Sequence, residues 1–319
     1  MENEVNKYNL SYGQQSLYFL QELNPSSTAY NVGIAFEFFQ RFDKQLFRLV
    51  FDKLMLKHEI LKTKFFKENG EIYQYIDEGA EYDFVIEDIR NLDSVEISNK
   101  INSDFHKSYD LLVDSLLRVY LYPKESYVIV SIVLHHVIAD FNSVEIFMND
   151  FITIYDALAN GHDTVVRRIE TPYKSFVNGE RQFISSNRFP EKMAFWENKL
   201  KVTDTRLDFG VEKKQPQEFL GSRGAKVEFE INSEENKKIE QLCLSIHISP
   251  FIFFLTVYHL LLCQVYGRRD TIVGVPVSLR RALKYREAIG NFVNLLPIKM
   301  ESKNGNFVEM LKTVNSTFV

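Results

Sequence analysis

A run of branched apolar residues that ends in a polar cluster constrains the fold of this 319-residue chain more than any other stretch. Residues Tyr127–Leu134 read YVIVSIVL, which is typical of a strand covered on both faces. The polar sequence HHVIAD follows at His135–Asp140, and Asn142 or Ser143 can cap a helix that continues to Leu158. The sequence therefore predicts chemistry at the carboxyl end of a buried strand.

The paired histidines of this turn are costly to bury unless each is hydrogen-bonded or used in a reaction. Neighbouring residues on an extended chain point to opposite faces, so His135 and His136 are not expected to face one cavity. An imidazole exchanges a proton near neutral pH, as a reaction that deprotonates an amine or a hydroxyl requires. From these residues alone, a catalytic histidine with a supporting neighbour and a purely structural pair both remain open.

Asp140 is expected to be buried, and a buried carboxylate needs a cationic partner, so we interpret it as half of a structural ion pair. A metal site at the turn is not favoured, because adjacent histidines on a strand diverge and the chain has no HExxH sequence. The glycine motifs of nucleotide sites and the G-x-S-x-G context of a serine nucleophile are also absent. The sequence predicts no bound cofactor and no metal.

The composition limits which classes of partner and which cellular compartment we expect. The 38 basic and 43 acidic residues give a net charge of −5 and are intermixed, so nucleic acid is not an expected partner. The two cysteines, Cys243 and Cys263, are consistent with a reducing compartment. The polar start lacks the apolar core of a signal peptide, and Phe251–Tyr266 is short for a membrane span and is predicted to be a buried helix. We expect a cytoplasmic protein that does not bind membranes.

Helical and strand patterns alternate along both halves, which predicts an α/β chain of the α+β type. The predicted elements are helices at Leu10–Leu23, Lys44–Lys57, Val95–Ser108, Glu234–Ser245 and Pro250–Tyr266, strands at Tyr30–Phe39, Leu116–Tyr122, Ala225–Ile231 and Asp270–Val277, and a hairpin turn at Asn69-Gly70. The polar stretch His162–Pro190 is the best lobe boundary. We therefore expect an N-terminal lobe at 1–175 and a C-terminal lobe at 176–319.

The order of the motifs resembles the condensation domains of non-ribosomal peptide synthetases, which belong to the chloramphenicol-acetyltransferase-like acyltransferases. Five stretches carry the resemblance: Leu10–Asn31 (the opening motif), Lys57–Thr63 (RHExLRT, with lysine in both arginine places), His135–Ser143 (HHxxxDGxS), Asp270–Arg280, and Ile289–Pro297 (GNFVNTLP). The resemblance extends over essentially the whole chain.

This resemblance implies two chloramphenicol-acetyltransferase-like lobes, each a mixed sheet with helices, around a V-shaped cleft. It implies amide-bond formation between a donor acyl or peptidyl thioester and an acceptor aminoacyl thioester. Upstream and downstream carrier protein domains, beside a neighbouring adenylation domain, would present both substrates on phosphopantetheine arms. His136 would face the reaction centre and position or deprotonate the amine, with His135 in support, and Asp140 would pair with Arg280 as a brace. The residues expected at the substrate channel are Phe141, Ser143, Gly290 and Asn294.

Two departures from the family pattern leave alternatives open. Phe141 stands where the signature has glycine, and glycine there is read as backbone freedom or close approach of the pantetheine arm. The chain also stops at Val319, before the family's last motif, so we expect an incomplete C-terminal lobe. An epimerisation domain and a catalytically silent recruitment module of the same fold are the alternatives. Cyclising relatives have aspartate in place of the first histidine, and His135 disfavours that reaction.

Overall fold

A computed structural model of the chain describes residues 6–162, 165–201, 227–280, 282–301 and 306–318. Within these ranges the chain divides into two units. The first holds residues 6–162, 165–185, 278–280 and 282–293, and the second holds residues 186–201, 227–277, 294–301 and 306–318.

The first unit contains two sheets and five helices among its described residues. In chain order these elements are β1 (Tyr8–Asn9), α1 (Tyr12–Leu23), β2 (Asn31–Phe38), α2 (Lys44–Lys57), β3 (Thr63–Glu68), β4 (Glu71–Ile76), β5 (Asp83–Ile86), α3 (Ser94–Phe105), β6 (Leu117–Pro123), β7 (Val128–His135), α4 (Phe141–Ala159) and α5 (Tyr173–Ile184). The larger sheet has the order β2-β7-β6-β5, with β5 parallel to β6 and the other pairs antiparallel. The smaller sheet has the order β1-β4-β3.

Strand β7 lies inside the larger sheet and is buried along its whole length, as the continuous apolar run predicts. Helices α2 and α4 pack beside it through aromatic rings. Phe38 of β2 contacts Phe47 of α2 and Phe151 of α4 at centroid distances of 6.0 and 5.7 Å. The polar turn at the end of β7 therefore starts from a rigid, fully packed strand.

Several local predictions are confirmed. Helix α2 and the helix at Pro250–Tyr266 have the predicted bounds, and strand β6 pairs with the strand that carries His135. The hairpin between β3 and β4 turns at Asn69 and Gly70, whose φ angles of 52° and 81° are those of a type I′ turn.

The second unit, in its described residues, consists of helices packed with a strand pair. Its elements are α6 (Phe189–Lys199), α7 (Ser233–Ser245), α8 (Pro250–Tyr266), β8 (Asp270–Ser278), β9 (Val293–Glu301) and α9 (Phe307–Phe318), and Ser278 and Val293 belong to the first unit. The core of this unit includes Ile252 and Leu255 of α8 beside Val275, Ile298 and Leu311.

Two predictions about the second half need correction. Helix α8 is buried on one side only, since Tyr258 and Val265 on its other side are 48% and 62% exposed. The predicted strand at Ala225–Ile231 is wrong for residues 227–231, which have no regular structure, while residues 225 and 226 lie outside the described residues. An alternating pattern yields a strand only where a neighbouring strand offers hydrogen-bonding partners.

The unit boundaries also differ from the predicted division between residues 175 and 176, which falls inside α5. The first unit continues to Ser185 and includes residues 278–293. The physical reason is an aromatic cluster in which Tyr173 and Phe176 of α5 contact Phe292 at centroid distances of 5.0 and 4.8 Å. This packing attaches α5 and the later segment to the first unit.

Candidate active site

The polar turn is built from backbone hydrogen bonds at the end of β7. The His136 N–H donates to the Tyr30 carbonyl at 2.8 Å, and the Ile138 N–H donates to the His135 carbonyl at 3.0 Å. The Val137 carbonyl accepts from the side-chain amide of Gln14 at 3.1 Å. These bonds fix the turn to the residue that precedes β2 and to α1.

His135 is fully buried, and its Nδ1 accepts a hydrogen bond from the Val137 N–H at 3.1 Å. Burial, with smaller contributions from the nearby His136 and Arg118, lowers the pKa of His135 to about 3. The ring is therefore neutral near pH 7, with its hydrogen on Nε2, because Nδ1 acts as an acceptor. His135 Nε2 is buried without a hydrogen-bond partner.

His136 is the partly exposed member of the pair, and its Nδ1 is enclosed without a hydrogen-bond partner. Because Nδ1 is enclosed, Nε2 is the nitrogen that can meet a substrate. The His135 imidazole is thus held inside the unit, whereas the His136 imidazole is accessible from outside. The catalytic role of His136 stays a prediction on this geometry.

Asp140 is the N-cap of α4, so the helix starts two to three residues earlier than a cap at Asn142 or Ser143 would place it. Its Oδ1 accepts from the Ser143 N–H at 2.8 Å and from Arg280 at 3.0 Å. Its Oδ2 accepts from the Phe292 N–H at 3.1 Å. The predicted ion pair with Arg280 is present, and it ties α4 to residues 278–293.

Arg280 is held by more than its charge partner. It donates to the Tyr285 carbonyl at 2.9 Å and to the Ala288 carbonyl, and its guanidinium carbon lies 4.0 Å from the Phe292 ring centroid. The Arg280 side chain is only 7% exposed, so these contacts replace water around the cation. Asp140 and Arg280 act as a brace, since neither presents a free charge to solvent.

Ser143 and Gly290 are enclosed in this brace rather than placed at an open channel, which corrects the sequence expectation. Ser143 Oγ lies 2.6 Å from Asp140 Oδ1 and accepts from the Gly290 N–H at 3.0 Å, and both residues are buried. A Cβ atom at Gly290 would lie 2.1 Å from the Tyr173 ring. Packing within the unit therefore requires glycine at this position.

Phe141 is the first residue of α4, and its side chain is 81% exposed. Its φ angle is not in the positive range, so the backbone at this position does not need glycine. The family's glycine was interpreted either as backbone freedom or as close approach of the pantetheine arm. The backbone at Phe141 does not need that freedom, so the second interpretation remains as a prediction. Asn294 is exposed and belongs to the second unit, and its place at the channel stays a prediction.

Sequence reasoning missed the buried amide pair beneath the turn. Gln14 Nε2 donates to Gln74 Oε1 at 3.1 Å, and Gln74 Nε2 donates to Gln14 Oε1 at 2.8 Å. Ser11 and Gln14 also form a capping box at the start of α1. The sequence Ser11-x-x-Gln14 was a readable signal of this box, whereas nothing local indicated Gln74.

No group of three or more potential metal ligands occurs among the residues that the structure describes. Among the described helices, none alone is long and apolar enough to cross a membrane. Helices α7 and α8, which meet at a bend of 105°, satisfy the length and composition criteria only when taken as a pair.

Comparison with known proteins identifies relatives over the whole chain. The sequence model of a family described as Condensation domain matches residues 4–319. Phosphinothricin tripeptide synthetase PhsC of Streptomyces viridochromogenes is 25% identical over 316 residues, which cover 97% of this chain and 29% of that protein. This chain thus spans less than a third of the length of that relative.

Solved structures share the fold. A holo four-domain nonribosomal peptide synthetase bound to AMP and glycine matches with a TM-score of 0.82 and 21% identity, over 100% of this chain and 24% of the other. The X-domain in complex with OxyB from teicoplanin biosynthesis matches with a TM-score of 0.84 and 18% identity, over 99% and 70% of the two chains. At these identities the likeness concerns the fold.

Proposed function

Because the chain belongs to the condensation-domain family, we propose that it forms an amide bond between two carrier-bound thioesters. The donor is an acyl or peptidyl thioester, and the acceptor is an aminoacyl thioester. Phosphopantetheine arms of upstream and downstream carrier domains deliver both, beside an adenylation domain that activates the amino acid. The relation to a tripeptide synthetase supports this substrate class.

The observation that carries the proposal is a reachable imidazole on a rigid support. His136 follows a fully buried strand and precedes a helix whose first turn is braced by Asp140 and Arg280. A thioester is already activated, so alignment of the two reactants supplies much of the rate acceleration. His136 Nε2 is the atom that would orient the acceptor amine or accept its proton.

The reaction balances without a cofactor. The amine nitrogen attacks the thioester carbonyl, a C–N bond forms, and the C–S bond breaks. The donor arm leaves as a thiol after it receives the proton that the amine loses. No oxidant or nucleotide takes part in this step.

The test is a condensation assay with this chain and separately loaded donor and acceptor carrier domains, followed by mass spectrometry of the acceptor arm. We expect His136→Asn to lower turnover by about a hundredfold or more, the scale of a lost general base. His247→Asn is the matched control, because His247 is an exposed histidine of the second unit. Equal turnover of His136→Asn and the unaltered chain would remove His136 from the mechanism.

A second candidate function, a recruitment module that does not catalyse, is supported by Phe141. An exposed aromatic ring stands at the start of α4, where the family signature has glycine. The X-domain in complex with OxyB has this fold, which supports a role in binding a partner protein. Carrier binding without turnover, by both the unaltered chain and Phe141→Gly, would favour this candidate over catalysis.

A further inference from the structure

A tyrosine of the loop before β6 lies against the buried His135 ring, and an arginine of β6 lies against that tyrosine. The guanidinium carbon of Arg118 lies 3.7 Å from the ring centroid of Tyr109. The same guanidinium donates to the carbonyls of Lys107 and Ser108 at 2.9 Å each. Arg118 therefore holds both the Tyr109 ring and the backbone that leads to it.

Tyr109 is fixed at its other end by β7. Its hydroxyl donates to the Val133 carbonyl at 3.0 Å, and its ring meets the His135 ring edge to face, at a centroid distance of 5.5 Å and an angle of 77°. Val133 and His135 lie on the same face of the strand, since side chains alternate along it. Tyr109 is 2% exposed, so it has no room to turn away from His135.

The restrained His135 ring in turn supports the turn that carries His136. The only hydrogen bond of the His135 ring in the described structure is the one that Nδ1 accepts from the Val137 N–H at 3.1 Å, one residue beyond His136. A rotated His135 ring, or one protonated at Nδ1, cannot accept that bond. The Val137 N–H would then be buried without a partner, and the turn that carries His136 would lose a support.

The charges around His135 favour the neutral ring. Arg118 and His136 are the charged or titratable groups that act on it, and both disfavour a positive charge there. The carboxylates nearest this arrangement are bound to Arg118: Asp114 lies 2.9 Å from it and Asp83 lies 3.5 Å from it. No carboxylate is bound to His135 among the described residues.

We propose that Tyr109 and Arg118 are positioning residues for His136. They hold the His135 ring in the one orientation in which Nδ1 supports the turn. Neither touches the reacting atoms, so they act through His135. The kinetic consequence rests on the proposed function, whereas the restraint on the His135 ring does not.

The direct test is the ring nitrogen NMR signature of His135 in protein labelled with ¹⁵N-histidine. The chain has seven histidines, and His135→Asn assigns the signal by its loss. In the unaltered protein we expect a neutral ring with its hydrogen on Nε2 from pH 5.5 to 8. Tyr109→Leu should convert this signature into mixed tautomers or a titrating ring, because the ring contact is lost.

Arg118→Lys is the second variant, since it keeps the positive charge and loses the planar contact with Tyr109. This variant provides the test if Tyr109→Leu lowers the folded fraction. Tyr155→Leu is the matched control, because it removes a buried tyrosine of α4 whose ring packs against Phe38, Phe47 and Phe151. An unchanged His135 signature in Tyr109→Leu or Arg118→Lys would overturn the proposal. An equal change in Tyr155→Leu would also overturn it, because general destabilisation would then be the cause.

Activity gives the second readout. In the carrier-protein assay, Tyr109→Leu should lower kcat by about tenfold or more, since small displacements of a reacting group have effects of this size. KM for the loaded acceptor carrier should stay within about twofold of that of the unaltered chain. An inactive unaltered chain whose His135 signature still responds to Tyr109→Leu would refute the proposed function and leave this inference standing.

Discussion

The brace between Asp140 and Arg280 permits a quantitative prediction, because charge and capping can be separated by two substitutions. Asp140→Asn keeps an oxygen that can accept from the Ser143 N–H and removes the negative charge. Asp140→Ala removes both. Each leaves Arg280, only 7% exposed, without its counter-charge.

The expected losses follow from these contacts. Removing one partner of a buried ion pair costs about 3–5 kcal/mol, because the remaining charge stays desolvated. Loss of the cap at the start of α4 costs about 1 kcal/mol more. We therefore expect Asp140→Asn to destabilise the first unit by about 3 kcal/mol and Asp140→Ala by about 4 kcal/mol, a large share of the stability of an ordinary domain.

Urea unfolding followed by far-UV circular dichroism measures these losses, and hydrogen exchange at the Ser143 and Phe292 amides localises them. Trp196, the only tryptophan, belongs to the second unit, so its fluorescence reports that unit separately. Adding Arg280→Met to Asp140→Asn should recover part of the loss, because the stranded cation is gone. Additive losses in the double variant would refute the view that the two residues form one energetic unit.

Three further predictions concern single positions. Phe141→Gly should raise kcat/KM for bulky carrier-bound substrates in the condensation assay, since it opens the space that the exposed ring occupies; unchanged values would exclude Phe141 from the substrate path. His135→Asn should make the free energy of unfolding less dependent on pH below about 6.5. Burial keeps the folded His135 neutral to about pH 3, whereas the unfolded histidine takes up a proton below about pH 6.5. The free energy of unfolding of the unaltered protein therefore falls by about 1.4 kcal/mol per pH unit in this range. The unfolding free energies of both proteins can be measured by urea titration at pH 7 and at pH 5. An equal decrease in the two proteins between these pH values would contradict this prediction. Gly290→Ala should destabilise by about 1–3 kcal/mol because its Cβ meets the Tyr173 ring at 2.1 Å, whereas Gly79→Ala, with only one contact at 3.5 Å, should be near neutral in thermal unfolding.

Elements with local signals could be predicted from the sequence. Helix α2 begins after Asp43, whose carboxylate caps it, and α8 lies between the Ser249 cap and Gly267 in the left-handed region. The strand that carries the histidines was visible as an unbroken apolar run. These signals span only a few consecutive residues, so they can be recognised without knowledge of the tertiary structure.

Features that depend on distant packing could not be predicted. Residues 278–293 belong to the first unit because Phe292 packs edge to face against Tyr173, more than a hundred positions away along the chain. Ser143 was expected at the channel from its place in a motif, yet the Gly290 amide and Asp140 enclose it. A motif identifies which residues share a site and leaves open which of them face the ligand.

The same limit explains why the supports of His136 were harder to find than His136 itself. A reacting histidine needs only a recognisable neighbour in sequence, whereas its orientation depends on groups that other elements bring to it. Gln14 of α1 binds the Val137 carbonyl, and Tyr109 binds the Val133 carbonyl and the His135 ring. Each is a polar group inside a core, where an unmade hydrogen bond costs more than a made one contributes. Buried polar residues on otherwise apolar elements are therefore the positions at which to look for the supports of a site.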